Sequence, residues 1–216
     1  MPTINNVFLQ WSAALKDNSF RQKLLASTFL LVLVLVFFFF ILQYAEKRNG
    51  FVIEKGWLDG IILPGDFSAW IFAFTYTATI LGLIFCFQKP STTLLLIRTY
   101  LLLQFLRAVC MLIVPLDPPE GIVPLNDPVL HATFYNGRPN LKDLFFSGHG
   151  ATLIMFIPIV SNKWVKLILA IAATVAGILL IAQRVHYIVD VIAAPVFTIM
   201  AYYLAKRWPQ STQIKN

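Results

Sequence analysis

Charge is scarce in this chain. Asp, Glu, Lys and Arg make up 12% of its 216 residues against 58% hydrophobic residues, with a mean hydropathy of +0.74. This excludes an ordinary soluble domain. Cysteine is scarcer still: Cys86 and Cys110 both lie inside apolar runs and read as packing residues, with no disulfide or metal pair to build. The sequence shows no internal repeat, soluble domain or low-complexity segment, so residues 1–216 read as a single integral membrane domain. In a soluble protein a net charge of +7 points to nucleic acid, but basic residues of a membrane chain collect in cytoplasmic loops. No nucleic-acid partner is expected.

What is abundant is apolar sequence in lengths that cross a bilayer. About 20 apolar residues make a spanning helix, and candidate runs occupy residues 24–44, 69–87, 92–114, 144–160, 165–182 and 187–204. The expected fold is therefore all-α, a polytopic membrane protein of six transmembrane helices. The first run lacks a small-residue cleavage pattern after it and reads as a retained anchor.

Charge sets the orientation. If all six runs cross, the side of the termini carries ten basic residues and one acid, Asp17, while the other side carries seven basic residues and nine acids. The positive-inside rule then places both termini in the cytoplasm. The longer connections, 45–68 and 115–143, fall on the exoplasmic side, where chemistry carried by loops is expected.

Two motifs bear that chemistry. His186 and Asp190 are four residues apart, a spacing that would put them on one helix face, and a carboxylate at the mouth of an apolar run is costly enough to presume a function. The sequence Ser147-Gly148-His149 opens the fourth run on the same side. Two nonequivalent histidines and one carboxylate suit displacement at phosphorus: one imidazole attacks, oriented by its carboxylate, while the other protonates the departing oxygen. His186 with Asp190 fits the first role and His149 the second, with no metal or cofactor required. An anionic transition state also calls for a cation. Arg107, roughly 10 Å below the exoplasmic end of its helix at about 1.5 Å per residue, is the first candidate, with Arg184 and Arg138 as alternatives. Arg98 reads as a snorkelling residue. Asp66 and Asp143 flank helix N-termini, where they would bind a head group or act as caps, the cap being the favoured reading.

Ser147-Gly148-His149 followed by His186-Tyr187-x-x-Asp190-Val191 resembles the sphingomyelin synthase branch of the type-2 phosphatidic acid phosphatase superfamily. Leu63-Pro64-Gly65-Asp66 and the arginine-bearing third run, from Arg98 to Arg107, are similar to further motifs of that branch. The resemblance extends from about Ile61 to the C-terminus. It implies a catalytic triad of His149, His186 and Asp190 and transfer of a phospholipid head group, through a phosphohistidine, to a lipid alcohol such as ceramide. Donor phospholipid, lipid-alcohol acceptor and membrane lipids are the partners it implies, at a site on the exoplasmic side. The wider superfamily's Lys-x6-Arg-Pro element has only His131 to Pro139 as a counterpart, and Leu180 stands where its second element has arginine. A lipid phosphate phosphatase with water as acceptor, a phospholipase-C-like hydrolase, and a transporter or lipid-binding scaffold are the competing functions.

Overall fold

The protein is described here by a computed structural model covering residues 3–53, 64–125 and 140–208. Among the described residues there are seven helices: α1 (Ile4–Lys16), α2 (Asn18–Lys47), α3 (Ser68–Cys86), α4 (Pro90–Ile113), α5 (Gly148–Ile159), α6 (Lys163–Ala182) and α7 (Ile188–Arg207). Local chemistry sets many of their starts. Asp17 caps α2 by accepting from the Ser19 amide, and Pro90 occupies the first turn of α4, where no amide donor is missed. Asn162 accepts from the Trp164 and Val165 amides at the start of α6, and Ser147 Oγ accepts from the Gly150 amide at the start of α5.

Five of these helices, α2, α3, α4, α6 and α7, are long and apolar enough to span a membrane. They make this an integral membrane protein. Helix α4 is the hub: half of its apolar stretch is buried, against 11% for α2, and it packs against α2, α5 and α7. The main core joins α3 to α7 through residues such as Leu103, Phe146, Phe156, Leu169 and Ala194. Helices α3 and α5 approach so closely that a Cβ at Gly82 would lie 2.4 Å from the Phe156 ring. Large side chains left outside the bundle, among them Phe29 and Phe40 on α2, Ile80 on α3, Ile178 on α6 and Ile192 on α7, form the surface suited to hydrocarbon.

The run at 144–160 does not become a full spanning helix. Helix α5 has 12 residues, roughly 18 Å at about 1.5 Å per residue, short of the ~30 Å hydrocarbon core. The residues before it are committed elsewhere: the Leu141 and Lys142 amides donate to Glu46, the Phe146 carbonyl accepts from Arg107, and Ser147 ends the extended segment by capping the helix. The sequence reading also passed over α1, whose polar residues interrupt any long apolar run.

One end of the bundle is tied together by polar contacts between distant segments. Arg48, just after α2, donates to the carbonyls of Met111, Leu112 and Val114 at the end of α4. Phe51 and Leu116 pair as an isolated bridge. Lys142 forms a 2.6 Å ion pair with Asp117 and donates to the Arg48 carbonyl. Hydrogen bonding from Lys142, aided by the Gly50 amide, holds the Asp117 carboxyl below the usual aspartate range. These segments roof the end at which α5 and α7 begin.

Candidate active site

The two motifs meet through the backbone. The Ser147 amide donates to the Asp190 carbonyl at 3.2 Å, so the start of α5 is fixed to the first turn of α7 before any side chain is considered. His186 precedes α7, separated from it by the N-cap Tyr187. The expected pairing on one helix face is therefore replaced by a pairing across the helix start. The reason lies in the Asp190 carboxylate, which accepts from the Tyr187 amide at 3.0 Å and so starts the helix between the two residues. His186 Nδ1 still lies 3.5 Å from Asp190 Oδ2, with both side chains buried. Neither His186 Nδ1 nor Asp190 Oδ1 has a hydrogen-bond partner among the described residues.

Arg107 organises the other half. Its Nε donates to the Phe146 carbonyl at 3.3 Å, one terminal nitrogen to Gln104 at 3.2 Å, and the other forms a 2.5 Å ion pair with Asp143. Phe38 of α2 covers the guanidinium at 4.8 Å. Gly148 sits against it: a Cβ there would lie 2.6 Å from Arg107 Cζ. The glycine between Ser147 and His149 is thus the space the arginine occupies. Asp143 is this cation's partner and not a helix cap, which Ser147 supplies instead.

A cavity of about 260 Å³ opens beside this group, lined by Phe38 of α2, Thr75 and Tyr76 of α3, Gln104 and Arg107 of α4, and Asp143, Gly148 and His149 among others. His149, the second residue of α5, is half-buried there, its ring 6.1 Å from that of Phe72. His186 and Asp190 do not line this cavity. The cavity lining thus includes His149, Arg107 and Asp143, and the hydrogen bond from the Ser147 amide ties the buried pair His186 and Asp190 to the start of the same helix.

The remaining candidates sit apart. Arg184 adopts φ 56° and donates to the Glu120 carbonyl at 3.0 Å, turned toward the roof and not lining the cavity. Asp66 caps α3 by accepting from the Ser68 amide at 3.0 Å, and its bonds to Ser68 lower its pKa. Arg138 and His131 lie outside the described residues. Arg98 does not snorkel: it is 2% exposed, donates to Ser27 of α2 and lies over the Trp208 ring at 5.2 Å.

Sequence reasoning missed Gln183. This fully buried side chain accepts from the Phe67 amide and donates to Ser68 Oγ and the Val123 carbonyl, anchoring the turn that carries His186. Tyr187 adds a second anchor, donating to the Asp117 carbonyl. A polar amide at the end of the apolar run 165–182 was the available signal, since such a group is buried only with partners.

Residues 142–207 match the family described as PAP2 superfamily C-terminal. The match begins at Lys142, ends with α7 and contains His149, His186 and Asp190, and it supports the type-2 phosphatidic acid phosphatase superfamily. Members of that superfamily are typically lipid phosphatases or phosphotransferases. No curated protein and no solved structure matches the chain.

Proposed function

We propose that this protein is a membrane lipid phosphotransferase that moves the phosphorylated head group of a phospholipid to a lipid alcohol such as ceramide. The observation that carries the proposal is the hydrogen bond from Ser147 to Asp190, which makes one unit of the two histidine motifs, within the segment that matches the superfamily.

The chemistry follows from the geometry. His186 presents Nδ1 to Asp190, leaving Nε2 as the nucleophile. Attack of Nε2 on phosphorus breaks the bond to the glycerol oxygen, which takes a proton from His149 and leaves as diacylglycerol. The acceptor hydroxyl then attacks the phosphohistidine, giving its proton back to His149 and releasing His186. The 3.5 Å contact with Asp190 closes to a hydrogen bond as charge develops on the imidazole, since catalytic contacts are often long before substrate binds. Arg107, which lines the cavity beside His149, meets the anionic head group as a fixed cation. The exoplasmic placement of this end rests on the charge bias of the connecting segments.

Purified protein in bilayers, supplied with labelled phosphatidylcholine or phosphatidylethanolamine and ceramide, is expected to yield diacylglycerol and a labelled sphingophospholipid, and His186→Ala neither. Release of inorganic phosphate from phosphatidic acid, with no transfer to ceramide, would assign water as the acceptor and a phosphatase instead. Product formed equally by wild type and His186→Ala would remove His186 from the mechanism.

A further inference from the structure

Helix α1 takes no part in the site, yet its sequence is strongly two-faced. At 100° per residue, Ile4, Val7, Phe8, Trp11, Ala14 and Leu15 fall on one arc about 120° wide, while Asn5, Asn6, Gln10, Ser12 and Lys16 lie outside it, with Leu9, 62% exposed, and Ala13 the apolar residues there. The protein covers only one edge of the arc. Ala14 packs with Phe20 of α2 and Leu94 of α4, and Trp11 meets the Phe20 ring edge-on while donating to the Phe87 carbonyl at the end of α3. These contacts lay α1 across the end of the bundle opposite the site. The other edge of the arc is bare: Ile4 is 87% exposed, Phe8 71% and Leu15 43%.

Two observations say what covers it. The first turns of α2, next in the chain, expose Leu25 and Phe29, so the bare stripe adjoins a helix whose outer surface suits hydrocarbon. Lys16, Arg21, Lys23 and Lys89 cluster around the junction, with Asp17 the acid of this end, and Asp17 is engaged in capping α2. An apolar stripe with a tryptophan beside it and a basic collar is the pattern of a helix lying in a membrane interface.

We propose that α1 is such an interfacial helix, with Ile4, Phe8 and Leu15 sunk into the leaflet at this end of the bundle and the basic collar seated on acidic phospholipid head groups. The site and its chemistry do not enter the argument, so failure of either proposal leaves the other standing.

The test uses the full chain in nanodiscs of phosphatidylcholine, with and without phosphatidylglycerol. A fluorescent label is placed by Phe8→Cys or Gln10→Cys in a background lacking Cys86 and Cys110. The label at position 8 is expected to be quenched several-fold more by lipid-borne nitroxide than by aqueous iodide, and the label at position 10 the reverse. Equal iodide access at both positions would place α1 in water, and disulfide formation between two Phe8→Cys chains would assign the stripe to a second copy; either outcome overturns the proposal. Amide exchange on the unlabelled wild type provides the check that needs no substitution. Residues 4–16 are expected to exchange about tenfold more slowly with phosphatidylglycerol present, from electrostatic seating of the collar, and equal rates in the two lipids would remove acidic lipid from the proposal.

Discussion

The two histidines sit differently although each lies beside a helix start at the same end of the bundle. His149 is half-buried on a cavity wall, beside a cation held by Gln104, Asp143 and the Phe146 carbonyl. His186 is buried behind that wall against a carboxylate with no exposure of its own. The difference separates two tasks in the proposed reaction. In that reaction His149 faces the space that the leaving and entering oxygens occupy, while His186, oriented by its carboxylate, must turn Nε2 toward the same phosphorus, in line with the departing oxygen.

The strongest way to break this comparison is to delete the buried member. His186→Ala is expected to lower turnover at least ~10³-fold, as loss of a covalent nucleophile does, while the protein still inserts and elutes as a folded species. Asp190→Asn should follow it closely. Substrate turnover in bilayers, paired with size-exclusion profiles, measures both.

Next in size is Gly148→Ala, which drives a methyl into the Arg107 guanidinium. Overpacking of this kind costs about 1–3 kcal/mol. The expected readout is a lowered melting temperature together with a larger loss of kcat than a comparable insertion at Gly150, where a Cβ would meet only ordinary contacts of 3.6 Å or more. Equal losses at the two glycines would detach Arg107 from the reaction.

Much of this architecture is readable in the sequence, and the exceptions have physical causes. The spans at α2, α3, α4, α6 and α7 are legible because hydrocarbon demands one property over a fixed length. Meeting of the motifs at one end was expected from counting six crossing runs, 144–160 among them, of which the structure makes a shorter helix. The Arg107–Asp143 pair was not legible, because 36 residues separate the partners, and Asp143 alone reads as a cap while Arg107 alone reads as a cation for the substrate. Leu144, Phe145 and Phe146 are as apolar as a span, yet helix α5 starts only at Gly148, because Arg107 holds the Phe146 carbonyl and the Asp190 carbonyl holds the Ser147 amide. The His186 and Asp190 spacing suggested a helix face, and only the Tyr187 amide bond reveals a helix start between them.

Asp143→Asn sharpens the His149 side. The carboxylate now occupies a donor of Arg107 that a phosphate oxygen would use, so its removal is expected to lower KM for an anionic lipid, by about tenfold if ~1.4 kcal/mol of competition is relieved. A raised KM would instead make Asp143 a support for the cation. Steady-state kinetics at constant bilayer composition decide.

The smallest effect belongs to the roof. Asp117→Asn removes the ion pair with Lys142, worth about 1 kcal/mol for a partly exposed pair. The depressed Asp117 pKa means that the wild type holds this stability above the ordinary aspartate range and loses it as pH falls through that range to the lowered value. Melting temperatures of wild type and variant should therefore differ at neutral pH and converge in acid.

The hydrogen bond from the Ser147 amide to the Asp190 carbonyl has a consequence for anyone moving this chemistry to another scaffold. Because the bond is made by backbone atoms, no side-chain substitution reproduces it, and neither histidine motif is portable by itself. The smallest graft with the native alignment is a pair of segments, 143–149 and 183–190, carried together at fixed separation, with Arg107 brought along as the post against which the first one stands.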